Sequence, residues 1–243
     1  MAYQTILMHL NNEDRVAGLI RAGMLMTLPF NAHLTGLYVV PHVPVRSPHF
    51  PALSGAIVQS GLDAYRKSGE RIHQVFEAAA KRQPVTPEWR LYEPRHDGYA
   101  EAVLAHARSA DLLVVSQKEA EWAYADMFDI PDVLALESGR PVLVVPRKGE
   151  LRTLGERVLV AWNNSRESAR AVFDAMPVLQ KAKETRVLCI SESGKAHTQS
   201  ELASVELCAA LSRHGVNCVA DHVKPTERGE RGELLLTQAR SHG

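Results

Sequence analysis

The chain has 243 residues, 45% of them hydrophobic, and its 28 basic and 28 acidic side chains cancel to a formal charge of zero. It is long and apolar enough for one large domain or two small ones, and no excess of Lys and Arg is available to displace counterions from a nucleic-acid backbone, so no nucleic-acid partner is expected. No apolar run reaches the roughly 20 residues of a membrane span, and MAYQTILMHLNNEDR lacks the basic start and long apolar core of a signal peptide, so a cytoplasmic protein without a membrane partner is expected.

In chain order, the pattern predicts a strand at 4–10, a helix at 12–28, a strand at 33–40 and then an irregular excursion, PHVPVRSPHFPALSGAIVQSG, rich in proline and glycine. A helix at about 60–82, a strand at 86–92, a helix at 97–109, a strand at 111–116, a helix near 130–139 and a strand at 141–146 follow. Continuous apolar strands such as LLVV and VLVV, alternating with helices, point to a parallel sheet covered on both faces, a doubly wound α/β domain. After 156 the pattern starts again, with strand 157–162, helix 165–181, strand 185–191, helix 198–214, strand 216–222 and helix 228–241.

That second series is a repeat of the first. TILMHLNNEDRVAGLI (5–20) aligns with RVLVAWNNSRESARAV (157–172), setting Asn163 against Asn11, and HARSADLLVV (106–115) aligns with QARSHG (238–243), setting Ala239 against Ala107. The offset falls from 152 to 132, so about 20 residues of the first copy are missing from the second, and the proline-rich excursion is their natural source. The expected domains are 1–149 and 156–243, the second without its last two strands, whose continuation would lie past Gly243.

In a doubly wound sheet a ligand sits beyond the C-terminal ends of the strands where their order reverses. Both copies place Asn-Asn after the first strand: Asn11-Asn12 and Asn163-Asn164. Asn164 with Glu167 has capping-box spacing, whereas Asn163, at the tip of a strand, is placed to point into the crevice. After the fourth strand of copy one, no glycine occurs between Gly98 and Gly139. A loop that wraps main-chain N–H groups around a phosphate needs such residues. The segment carries Trp122, Tyr124, Met127 and Phe128 among Glu119, Glu121 and Asp126. Its carboxylates would repel a polyphosphate, and its aromatic residues either pack on the sheet edge or cover the vacated crevice and meet a partner.

The segments VLVAWNNSRESARAV (158–172), LTGLYVVP (34–41), ADLLVV (110–115) and ESGRPVLVVP (137–146) resemble the universal stress protein family, over one whole domain and about two thirds of a second. The resemblance implies a five-stranded sheet of order 3-2-1-4-5, pairing of two copies through the last strand, and in many members an ATP site. That site uses an Asp after strand one, a main-chain contact after strand two and a G-x2-G-x9-G-[S/T] loop after strand four. The implied nucleotide-contacting positions are Asn11 and Val39 in the first copy and Ala161, Asn163 and Ile190 in the second. Both Asp positions are amides, and Phe128-Asp129 stand where Gly-Ser would be. The expectation is a non-catalytic stress-response or partner-binding protein with a degenerate first site. Its alternative is an ATP-binding switch or slow ATPase whose site belongs to the second copy and is completed beyond Gly243. A homodimer through 141–146 is expected.

P-loop, zincin and α/β-hydrolase patterns are missing. His42 and His49 share the excursion, but zinc needs three or four converging ligands, and no metal is expected. Glu101, His106, Asp63 and Lys67 read as exposed helix residues. Cys189, Cys208 and Cys218 lack the close spacing of a disulfide framework or zinc knuckle and are expected to be buried free thiols.

Overall fold

The computed structural model describes residues 2–41, 55–94, 97–121, 125–149, 151–190, 195–224 and 231–241. They fall into two compact units, Ala2–Arg152 and Thr153–Gly243.

In the first unit, strands β1 (Thr5–His9), β2 (His33–Val39), β3 (Pro87–Tyr92), β4 (Leu112–Ser116) and β5 (Val142–Val145) form one parallel sheet of order β3-β2-β1-β4-β5. This is the expected doubly wound α/β sheet. The order reverses between β1 and β4, both buried at almost every position because helices cover both their faces. Asp111 locks their starting register: its Oδ2 accepts from the main-chain N–H groups of Gln4 and Thr5 at 2.8 and 2.9 Å.

Helices α1 (Val16–Thr27), α2 (Gly55–Ala80), α3 (Tyr99–Ala107), α4 (Ala125–Phe128) and α5 (Pro131–Glu137) connect these strands. Alternation along β1 sends Leu7 to the core shared with Leu104, Leu113 and Leu134, while Met8 meets α1 on the other face. There Gly23 permits close approach, since a Cβ on it would run into Met8 Sδ. Glu13 fastens α2 near the start of α1, accepting from Arg71 at 2.6 and 2.8 Å and from Ser68 at 2.6 Å. Arg71, before the other contacts, draws the Glu13 carboxyl below its ordinary range.

Three local expectations change. A 3-10 turn, Glu13–Arg15, precedes α1, because Asn12 caps a tight turn and not an α-helix. Helix α2 begins at Gly55, inside the segment read as wholly irregular; residues 42–54, with His42 and His49, lie outside the described residues. The short helix α4 was not foreseen in a segment that lacks helical periodicity.

In the second unit β6 (Arg157–Trp162), β7 (Glu184–Ile190) and β8 (Cys218–Val223) form a parallel sheet of order β6-β7-β8. Helices α6 (Arg166–Asp174), α7 (Met176–Leu179), α8 (Lys195–Arg213) and α9 (Arg231–Ser241) accompany it. The single helix expected at 165–181 is two, since Pro177 lacks the N–H that would continue the ladder and stands in the first turn of α7. Trp162, Val187, Leu207 and Leu211 lie in the core of this unit.

Candidate functional site

The crevice of the first unit lies at the C-terminal ends of β1 and β4. Asn11 Nδ2 donates to the Phe128 carbonyl at 2.9 Å and to Asp129 Oδ1 at 2.8 Å. The other carboxylate oxygen, Asp129 Oδ2, accepts from the Glu119 N–H at 2.8 Å. Asp129 is only 7% exposed. A carboxylate from within the chain thus holds a main-chain N–H just after β4, in the segment where an anion-binding loop would offer its own.

Asn11 suits this arrangement because an amide nitrogen can donate to both oxygens. A carboxylate at the same place would face two acceptors, one of them charged, at hydrogen-bonding distance. An amide at position 11 and a carboxylate at position 129 are therefore chemically matched. Asn11 Oδ1 is buried and has no hydrogen-bond partner among the described residues.

Aromatic side chains fill the space beside this clamp. Phe128 is 2% exposed, and its ring centroid lies 4.9 Å from that of Tyr99 and 5.9 Å from that of Tyr65. Phe128 is thus packed inward against Tyr99 and Tyr65. Met127 is exposed, and Trp122 and Tyr124 lie outside the described residues, as does the Asp126 side chain. Beneath the rings, His9 Nε2 and the Tyr99 hydroxyl share a hydrogen bond at 2.8 Å. Burial lowers His9 from 6.5 to about 4, and burial, followed by the nearby Tyr38, Asp129 and Tyr65, pushes Tyr99 well above 10. Both groups are neutral at physiological pH.

Two arginines hold the rim. Arg15 donates to Ser116 Oγ at 3.1 Å and to the carbonyls of Pro146 and Arg147 at 2.8 Å each. The Arg147 guanidinium meets Glu119 at 2.6 Å and Glu121 at 3.5 Å, while its main-chain N–H donates to Gln117 Oε1 at 3.1 Å. Cationic groups that could answer a phosphate are thus engaged with oxygens of the chain itself. Val39 ends β2 at 1% exposure, in register with Tyr92. The histidines and carboxylates flagged on α3 and α2 do not converge on this crevice: Glu101 pairs with Arg108, His106 packs edge-on against Tyr92, and Asp63 pairs with Arg66.

The second unit differs at the corresponding turn. Asn163 is exposed and its Oδ1 accepts from the Ser165 N–H at 3.1 Å. Asn164 has φ 57° and does not cap the helix. The N-cap is Ser165, whose hydroxyl accepts from Ser168 N at 3.2 Å while Ser168 Oγ accepts from Ser165 N at 3.1 Å. The expected Asn164–Glu167 box is displaced by one residue, because the left-handed Asn164 turns the chain and a short hydroxyl follows at the capping position. Glu167 pairs with Arg166 instead. Ala161 is an exposed residue of β6 beside Leu188, and half-buried Ile190 ends β7 beside Val223; residues 191–194 lie outside the described residues.

Among the described residues no group of three or more His, Cys, Asp or Glu could hold a metal ion, and no helix is long and apolar enough to cross a membrane. No family model and no curated protein matches the sequence. Solved structures do match. A universal stress protein from Archaeoglobus fulgidus DSM 4304 is similar over 97% of this chain and 81% of its own, at 14% identity and a TM-score of 0.66. The chain has the universal stress protein fold.

A candidate universal stress protein from Pseudomonas aeruginosa UCBPP-PA14 matches 99% of this chain and 79% of its own at 14% identity, with a TM-score of 0.57. A functionally unknown protein from Pseudomonas aeruginosa PAO1 matches 99% and 79% at 16% identity, with a TM-score of 0.55. Within the universal stress protein fold, the sequence singled out Asn11 but not Asp129, the residue that its side chain meets. The sequence signal for that residue was an acidic side chain where the resemblance led one to expect Gly-Ser, which became informative once its distance from Asn11 was known.

Proposed function

We propose that this chain is a non-catalytic stress-response protein of the universal stress protein family, whose first unit is a scaffold or partner-binding domain and not a nucleotide site. The observation that carries this reading is the hydrogen bonding of Asn11 to Phe128 and Asp129, with Asp129 holding Glu119 N–H. A nucleotide tail entering here would have to displace a buried carboxylate from two donors, with Glu119 alongside, at a cost no glycine-rich backbone would face.

A second reading assigns adenine-nucleotide binding, as a switch or slow ATPase, to the second unit. It is supported by the exposure of Asn163 and Ala161, in contrast to the closed turn around Asn11. Titration calorimetry of the full chain with Mg-ATP tests both. Heat that disappears in Asn163→Ala and persists in Asn11→Ala supports nucleotide binding confined to the second unit. The absence of heat supports a scaffold without nucleotide. Micromolar binding that is lost in Asn11→Ala and retained in Asn163→Ala overturns the proposal for the first unit.

The partner is a second copy of the chain. Strand β5 pairs with β4 alone among the described residues, and Val144 on it is 42% exposed. An apolar sheet edge of this kind is covered by pairing with its equivalent about a two-fold axis.

A further inference from the structure

Cys208 stands on α8 and Cys218 opens β8, with the sulfurs 2.7 Å apart. All three cysteines are free, but only Cys189 is buried; Cys208 and Cys218 are partly exposed, contrary to the expectation of three interior thiols. A disulfide bond is about 2.05 Å long, so these sulfurs need to close by only about 0.65 Å.

Rigid elements hold them together. Gly215, at φ 79°, reverses the chain after α8, and Val216 N donates back to the Leu211 carbonyl at 3.1 Å. Asn217 is tied to β7 through Nδ2 to the Lys183 carbonyl at 2.7 Å, and its carbonyl accepts from Thr185 N at 2.8 Å. Both cysteines pack against the core that contains Leu207 and Leu211. The third cysteine is elsewhere: Cys218 is in register with Thr185 on β7, and Cys189 lies four residues further along that strand, about 13 Å away by strand rise.

We propose that Cys208 and Cys218 are a reversible dithiol–disulfide couple, oxidised by exchange with a small-molecule disulfide of the glutathione class. The thiolate form of one cysteine attacks one sulfur of that disulfide, breaking its S–S bond and releasing one small thiolate. The sulfur of the other cysteine then attacks the first cysteine's sulfur in the mixed disulfide, and its proton passes to the second departing thiolate. Two protein thiols are oxidised and one small disulfide is reduced to two thiols. Burial, reinforced by Cys208, raises Cys218 to about 12.

Incubation of the native full chain with oxidised glutathione, alkylation of the remaining thiols and non-reducing tryptic mass mapping test this. Arg213 lies between the two cysteines, so cleavage there leaves them on separate peptides joined only by the new bond. The expected product is a Cys208–Cys218 cross-link that dithiothreitol reverses, with alkylation at Cys189 alone. In Cys218→Ser and in Cys208→Ser alike, glutathione stays on whichever of the two cysteines remains. Alkylation of both Cys208 and Cys218 in the wild type, a link to Cys189, or a stable glutathione adduct on wild-type Cys208 overturns the proposal without reliance on either variant.

Discussion

The side-chain amide of Asn11 donates to the carboxylate of Asp129 across 2.8 Å, joining residues 118 positions apart. The contact closes the C-terminal end of β1 against the turn that precedes α5, and it ties the chemistry of one crevice wall to that of the other.

Asn11→Asp is expected to destabilise the protein by about 3 kcal/mol at pH 7.5, because it sets a second carboxylate against a buried one and against the Phe128 carbonyl. The like charges raise the folded-state proton affinity of the pair above its unfolded value. Stability of the variant is therefore greatest in acid and falls as pH rises through the carboxylate range. Urea unfolding at pH 4.5 and 7.5 measures it, and adding Asp129→Asn should recover most of the loss.

His9 supplies the opposite pH dependence. Its pKa falls from 6.5 in the unfolded chain to about 4 in the folded one, so between these values the unfolded state binds more protons and stability declines as pH drops. The contribution amounts to about 3 kcal/mol when fully lost. Urea midpoints measured from pH 7 to pH 4 should slope downward in the wild type. His9→Gln, which keeps a polar group opposite Tyr99 but does not titrate, should flatten that slope.

Gly23→Ala should cost about 2 kcal/mol although alanine is the better helix former, because the new methyl meets Met8 Sδ in a filled core. Combining it with Met8→Ala should cost less than the two changes added separately. Chemical denaturation of the two single variants and the double variant checks this.

Strand β5 is expected to carry the two-fold contact of a dimer. Light scattering should report two chains per particle, and Val144→Lys, which puts a charge on the exposed edge, should lower the dimer fraction at least tenfold at equal concentration without changing the fold. A wild-type protein that stays monomeric at high concentration would rule the contact out.

The alternation of apolar strands and amphipathic helices, and with it the doubly wound sheet, followed from the sequence, because burial on both faces of β1 and β4 leaves an unbroken apolar run such as LLVV. The lack of glycine between Gly98 and Gly139 was equally legible, since main-chain geometry depends on that residue type wherever it occurs. Tertiary structure alone decided which groups meet. In sequence, Asp129 is only a residue standing where a Gly-Ser pair was expected; the structure puts its oxygens on Asn11 and on the Glu119 N–H. Ser165 replaced Asn164 as the cap because one left-handed residue shifts the helix start. Cys208 and Cys218, ordinary in spacing, meet because a helix and a strand return side by side from one tight turn. Hydrophobic periodicity is written locally along a chain, whereas a hydrogen bond or a thiol pair depends on distances that exist only after the elements have packed.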